Sequence, residues 1–512
     1  MAHFKPFSNR FFQGTSNFRG MMMVQKVGML AIGAGLLGSA WCQEARVEYK
    51  PLAFGGFTEF GLIRSGQYGQ VDFKNEWVDH FGAYVAQTAQ AGDDLAFDIG
   101  LGGVFEYQKR EVISSQWGGT QYKNFFTGPS VADIRYGSLA RDGRGFGLQF
   151  GIFDYKYNRD AHNLGEYLFR SGAYPGYVTS GGLWFVNSTS VQLQALRASY
   201  STGNLSSDFF LITETSMPSL YDLSAAAVAK YTLAGGLVEL GAGLNYKHLV
   251  PVKPSLTSRH HTTNAYFEKG GKTFSANDAL YLESSNYYRR RAEEDPTNAA
   301  TYNALADADK ALADSVLGWV TNPAANNIKL KYFTQSGLIA MARVSLDLKK
   351  IFASESLAEE DLRLYAEAAV LGVQNYPLFY TDITKRIPIM AGVNLPGFGI
   401  LDLLSLQMEY YKSPYLNSYA ALVEFNSAVP AHVLGSDKVR SGTGYADITG
   451  KDDFSWSILA KKRLGGKAYI AAQAARDHIR TVSIETWTAP EPTQVLGRGS
   501  DWYWMLQFGF GI

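Results

Sequence analysis

The sequence predicts an all-β fold, a closed antiparallel β-barrel of about sixteen strands, and three observations carry that expectation. Apolar residues alternate with polar or small ones at period two, in segments of about ten residues. Tight glycine-containing reversals alternate along the chain with long polar connections. The third observation is composition: 52 Gly, 31 Tyr and 31 Phe among 512 residues, without a long apolar run in the body of the chain, favour many short strands over helices.

The same composition excludes other classes. One Cys cannot form a disulfide scaffold within its own chain. Equal counts of 47 Lys+Arg and 47 Asp+Glu lack the cationic excess that displaces counterions from phosphates, so no nucleic-acid partner is expected. With 46% hydrophobic and 18% charged residues the chain can bury a large core, which argues against disorder.

Residues 1–42 read as a secretory signal peptide. Lys5, Arg10, Arg19 and Lys26 stand without an acid, the apolar run Val27–Leu37 follows, and Gly38, Ser39 and Ala40 suit cleavage. The run is shorter than the roughly 20 residues that a membrane-crossing helix needs. The basic segment is long for this purpose, and Met21–Met23 offer alternative starts. Residues 43–512 then form one barrel.

Strands are expected near 53–64, 77–86, 95–108, 131–141, 145–156, 190–201, 205–214, 223–234, 236–249, 329–348, 360–374, 385–396, 400–411, 453–464, 466–477 and 501–512. In 95–108, Leu95, Phe97, Ile99 and Leu101 alternate with Ala96, Asp98, Gly100 and Gly102. Phe146, Leu148, Phe150 and Ile152 alternate with Gly145, Gly147, Gln149 and Gly151. Leu240, Ala242 and Leu244 alternate with Glu239, Gly241, Gly243 and Asn245; Ala340, Ala342 and Val344 alternate with Arg343 and Ser345. The last segment sets Trp502, Trp504, Leu506, Phe508 and Phe510 against Tyr503, Met505, Gln507 and Gly509. Ser418–Phe425 alternates too and is assigned to a loop, because one strand more would make the count odd.

A soluble sandwich would also alternate; the connections separate the two folds. Short reversals fall at Arg141–Gly145, Thr202–Asn204, Ala234–Gly236, Leu395–Gly399 and Leu464–Lys467. Long connections fall at 109–130, 157–190, 250–328, 412–452 and 478–500. Short on one rim and long on the other is the transmembrane-barrel arrangement, and an even strand count puts both chain ends on the short rim. If the apolar row meets lipid the sheet must close, since backbone groups unpaired in hydrocarbon cost several kcal/mol each.

With these segments and the terminal Phe508-Gly-Phe510-Gly-Ile512, residues 53–512 resemble a Gram-negative outer-membrane β-barrel of the porin size class. The ending is similar to the signature that barrel-insertion machinery recognises, although Ile512 stands where an aromatic residue is usual and Gln507 where glycine is common. The resemblance implies outer-membrane lipid and that machinery as partners, a Gram-negative cell envelope as location, and association as a homotrimer.

The interior of a sixteen-strand barrel is wet, so the inward rows should hold polar side chains. Pore-lining candidates are Asp98, Gln149, Glu239, Lys247, Arg343, Arg363, Glu367, Gln407 and Glu409. Tyr107, Tyr155, Tyr246, Tyr410, Tyr411, Trp456 and Trp502, near strand ends, suit interfacial girdles. The insertion 250–328 contains a helix near 296–320, with Asp295 as N-cap, Pro296 at the first helical position and Leu305, Ala308, Leu312, Val316 and Trp319 on one face. That face must bury somewhere. The insertion either narrows the channel, with Arg289, Arg290 and Arg291 as constriction candidates, or forms an external cap. Tyr157, Tyr167, Phe169, Tyr174 and Tyr177 could offer stacking surfaces to sugars or simply order their loop.

Catalytic and metal motifs are missing: there is no His-Glu-x-x-His, Cys-x-x-Cys, phosphate loop or Gly-x-Ser-x-Gly elbow. His260-His261 read as solvated loop residues rather than metal ligands, and the acidic runs Glu293–Asp295 and Glu359–Asp361 as helix-start and turn charges rather than calcium ligands, so no metal, cofactor or enzymatic activity is expected. The reading is a channel for passive diffusion of small polar solutes, sugars among them. Its rivals are a surface or adhesion protein anchored by the barrel, whose long loops bind a polymer or partner, and a secreted soluble β-protein.

Overall fold

The computed structural model describes residues 47–68, 71–108, 125–141, 143–169, 191–213, 222–251, 264–294, 296–333, 337–352, 357–373, 382–411, 454–477 and 499–511. Sixteen strands form a closed antiparallel barrel: β1 (Ala53–Tyr68), β2 (Glu76–Ala91), β3 (Leu95–Gln108), β4 (Phe125–Gly137), β5 (Gly145–Tyr155), β6 (Val191–Thr202), β7 (Leu205–Thr213), β8 (Asp222–Leu233), β9 (Val238–Pro251), β10 (Gly337–Asp347), β11 (Arg363–Val370), β12 (Ile389–Leu395), β13 (Leu403–Tyr410), β14 (Phe454–Leu464), β15 (Ala468–Arg476) and β16 (Trp502–Gly511). Each pairs with its neighbours in sequence, and β16 returns to β1 in a register running from Gly55↔Gly511 to Ser65↔Trp502. Closure leaves the cylinder without a free edge. Short strands Val47–Tyr49 and Val71–Phe73 extend β2 and β1.

The period-two pattern becomes two faces. Ile99 and Leu101 on β3, at 63% and 61% exposed, and Phe146, Leu244, Met408 and Ile458 elsewhere lie on the outside. The opposite row is buried and polar: Glu59, Asp133, Gln149, Arg343, Glu367, Gln407, Glu409 and Gln507. Among the described residues no helix is long and apolar enough to cross a membrane.

Tight turns collect on one rim. Between β14 and β15, Gly465 and Gly466 take φ of 62° and 80°, a left-handed pair that residues with Cβ adopt reluctantly. β4 carries a bulge, with Gly100 opposite Val131 but Leu101 opposite Pro129, leaving Ser130 as the extra residue. Pro129 has no N–H to donate, so the ladder slips there.

The closure seam alternates large and small side chains inside. Tyr469, Gly509, Phe57 and Gly82 occupy cross-strand positions on β15, β16, β1 and β2, and Gly55 faces Tyr84 one level nearer the rim. Each ring lies over a glycine: a Cβ on Gly55 would sit 2.7 Å from the Tyr84 ring, and one on Gly509 or Gly82 would overlap Tyr469 or Phe57. Tyr365 covers Gly392 in the same way on β11 and β12.

Several boundaries differ from the sequence expectation. β4 spans Phe125–Gly137, and 138–141, expected as its end, form a helical turn. β10 starts at Gly337, while Lys331–Phe333 joins a separate three-stranded sheet with Asn264–Lys269 and Lys272–Ser275. β1 and β2 outrun 64 and 86 because Ser65, Gln67, Gln87 and Gln90 hid their alternation. The leader 1–42 and Ser418–Phe425 lie outside the described residues.

The separate sheet carries two helices, α1 (Ala279–Glu294) and α2 (Ala299–Thr321). α2 begins three residues after Pro296, with Asn298 at its N-cap position and no side-chain capping bond, so Pro296 is not its first residue; Asp295 lies outside the described residues. Leu312, Val316 and Trp319 pack as expected, against Phe267, Phe274 and Ile328, but Ala308 is exposed and Asp309 buried. The helical face thus turns onto the insertion's own sheet.

Candidate functional site

The interior is crossed by the chain that follows β5. Beyond Tyr155 it turns inward, and Tyr157, Asn158, Asp160, Ala161, Asn163, Leu164, Glu166, Tyr167 and Leu168 are all buried. An inward loop must replace water for every polar group it carries, and this sequence supplies the partners. Tyr157 Oη donates to Glu367 Oε1 at 2.6 Å, Asn158 Nδ2 to Glu367 Oε2 at 2.7 Å, and the Tyr167 amide to Glu367 Oε1 at 3.0 Å. One carboxylate on β11 therefore gathers three donors. Tyr167 Oη donates to Glu409 at 2.7 Å, the Asn163 and Leu164 amides share Gln407 Oε1 at 2.9 and 3.1 Å, and Asn163 Nδ2 reaches Asp477 at 2.7 Å.

Asp160 fixes the other side of the loop, accepting from Ser345 Oγ at 2.6 Å and Arg363 at 2.8 Å. On β9, Asn245 Nδ2 donates to the Leu168 carbonyl at 2.9 Å. His162 lies 3.1 Å from Glu360 in the connection between β10 and β11. Burial pushes the Glu360 carboxyl up, but the neighbouring His162, helped by Arg363, draws it down, and the group lies below its ordinary value. Beneath the loop, Tyr155, Phe169 and Phe210 meet edge to face. Gly165, at φ 85°, presses against the Met390 side chain, which leaves no room for Cβ.

A charged ladder runs around the adjoining wall. Asp98 on β3 pairs with Arg135 on β4; Gln149 on β5 donates to Asp133 at 2.8 Å and accepts from Arg197 on β6 at 3.2 Å; Arg197 binds Asp208 on β7 at 2.9 Å. Tyr155 Oη donates to Asp208 at 2.8 Å, and the Arg197 guanidinium lies 5.0 Å from the Tyr155 ring centroid. Further on, Lys230 approaches Glu239 at 3.4 Å, and Arg343 pairs with the same carboxylate. Opposite charges meet at Asp98–Arg135, Arg197–Asp208 and Lys230–Glu239–Arg343, and the neutral Gln149 links Asp133 to Arg197.

Among the nine pore-lining candidates, Asp98, Gln149, Glu239 and Arg343 belong to the ladder, Arg363, Glu367, Gln407 and Glu409 hold the loop, and Lys247 is buried on β9. Of the constriction candidates, only Arg289 has a described side chain. Arg289 is exposed on α1 and pairs with Asp307 of α2 at 2.6 Å, because the two helices pack on each other; the side chains of Arg290 and Arg291 lie outside the described residues. Among the described residues, the segment inside the barrel is 156–168. Tyr157 and Tyr167 are buried donors there and present no free stacking face, while Tyr174 and Tyr177 lie outside the described residues. Tyr155 and Tyr411, assigned to a girdle, are buried inside instead, since odd positions of their strands face inward.

Sequence reasoning missed Asp133, Arg135, Arg197 and Asp208 of the ladder and Asn158, Asp160 and Asn163 of the loop. The parity of β6 and β7 could have placed Arg197 and Asp208 inside. The density of Asn, Asp and Tyr in 157–167 was a usable sign of a loop able to satisfy itself against a wall.

No family model matches the chain, and no curated protein matches it. Solved structures similar to it include engineered variants of the porin from Rhodopseudomonas blastica. Two of them are each 8% identical, with a TM-score of 0.40, covering 90% of this chain and 100% of theirs.

Proposed function

We propose that this chain is an outer-membrane channel of the porin type, through which small polar solutes diffuse passively. The observation that carries the reading is the division of the closed cylinder into an exposed apolar outside and a buried, charge-laddered inside. An outer row of Ile, Leu and Phe is unfavourable in water and suits hydrocarbon. Inside, the loop 156–168 makes the lumen narrower than the bare barrel, and the paired ladder offers both signs of charge to a solute in transit. The balanced pairing supports weak discrimination between anions and cations. Recording currents across planar bilayers tests this: purified chain should give discrete conductance steps, and an electrically silent bilayer would overturn it.

A second reading, a surface protein anchored by its barrel, is favoured by one feature, the separate core of the insertion around Phe267, Val316 and Ile328. A silent barrel that still binds a polymer through this unit would support that alternative.

A further inference from the structure

One charge of the inward loop stands apart from the others. Lys156 reaches the Ala161 carbonyl and lies 3.7 Å from Glu166, and Glu166 also accepts from the Asn158 amide at 3.1 Å. Asp160 is held by Ser345 and Arg363, and His162 faces Glu360. Arg159 is exposed, and among the described residues it makes no hydrogen bond or ion pair. Its direction follows from its neighbours. Asn158 and Asp160, on either side, are buried and point at the wall, the first at Glu367 on β11 and the second at Ser345 on β10 and Arg363 on β11. The exposed side chain between them therefore turns away from the wall, into the water of the lumen.

The acids of the adjoining wall are already engaged. Glu239 on β9 lies between Lys230 and Arg343, Asp347 on β10 faces Arg363 at 3.8 Å, and Glu367 is buried behind the loop with its three donors. A close pair of opposite charges acts at a distance as a dipole, whose field fades faster than that of a single charge. Against that background an exposed guanidinium governs the sign of the potential met by an ion passing the loop. We propose that Arg159 is the specificity-determining residue of the passage, and that it makes the lumen favour small anions over cations. The proposal rests on the channel reading and deepens it, naming the charge class of the solute and locating the selection on the loop instead of the ladder. Salt controls the effect. The screening length is about 10 Å at 0.1 M and about 3 Å at 1 M, so a charge felt across the passage in dilute KCl is confined to its own surroundings in concentrated KCl.

The test is the zero-current potential of the full chain in planar bilayers under a KCl gradient. In dilute KCl the unmodified chain should pass chloride several-fold more readily than potassium, and the ratio should fall toward unity in concentrated KCl. Arg159→Lys should keep the preference, Arg159→Gln should bring the ratio close to unity, and Arg159→Glu should invert it. Lys331→Met, in the insertion, should match the unmodified chain. Heat-modifiable migration verifies that each variant is folded, and resistance of 156–168 to protease verifies that the loop stays seated. A cation preference in the unmodified chain, or a ratio left unchanged by Arg159→Glu, would overturn the role of Arg159 and keep the channel. Loss of the preference in Arg159→Lys would assign it to the shape of the loop and overturn the charge role in the same way. A folded chain that leaves the bilayer silent would remove the channel and the preference together.

Discussion

Tyr157 and Glu367, 210 positions apart in sequence, are joined by a 2.6 Å hydrogen bond in the middle of the barrel. The same carboxylate takes two further donors from the loop, so a single side chain on β11 decides whether 156–168 stays seated.

Replacing it by alanine leaves three buried donors without an acceptor. At about 1–3 kcal/mol for each unsatisfied group, seating should be lost while the wall survives. Single-channel recordings of Glu367→Ala should show larger, noisier steps than the unmodified protein, and protease should cut within 156–168. Unchanged steps with an uncut loop would contradict the anchoring role.

The glycine beneath Tyr365 makes a separate prediction. A methyl group at Gly392 overlaps the ring and drives its hydroxyl from Ser405 at 2.9 Å and from Gln407 at 3.1 Å. Overpacking of this kind costs about 1–3 kcal/mol. Gly392→Ala should unfold at lower temperature in heat-modifiability assays, and Gly392→Ala/Tyr365→Leu should recover part of the loss. No recovery in the double variant would show that the overlap is not the cause.

Trp319 meets Phe267 and Phe274 edge to face, at centroid distances of 6.0 and 5.6 Å. Truncating it should cost about 3–5 kcal/mol, more than a small sheet with two helices can bear. Trp319→Ala should become protease-sensitive between 264 and 333 while conductance is preserved. A changed conductance would mean that the insertion contributes to the passage.

The His162 and Glu360 pair gives a pH dependence. Because the Glu360 carboxyl lies below its ordinary value in the folded chain, its contribution is present above the ordinary carboxylate range near about pH 4 and is lost as pH falls through the lowered value. The gap in thermal midpoint between the unmodified chain and Glu360→Gln should be open at about pH 5 and should close as pH falls below the ordinary carboxylate range. A gap independent of pH would assign the effect to packing.

The barrel was legible because its signal is redundant. Sixteen segments repeat one period, and an error of a few residues in any of them, as at 131–141, leaves the faces and the count intact. Asp98, Gln149, Arg343 and Glu367 could be assigned inside by parity alone. The loop was not legible, since whether a connection lies in water or in the lumen is decided by partners as distant as Gln407 and Asp477. α2 announced itself through alanine and spacing. α1 did not, because its inward residues Ser285, Tyr288 and Ala292 are too mixed in polarity to mark a face.

The ladder between β16 and β1 couples the two most distant parts of the described chain, Gly55 with Gly511. Such a pairing cannot form during synthesis, and it carries the largest loop-closure entropy of any in the cylinder. Until the last ten residues arrive, two strand edges stay open and vulnerable to other chains. A helper that shields those edges and presents them to each other would accelerate insertion more than one that assists any single hairpin.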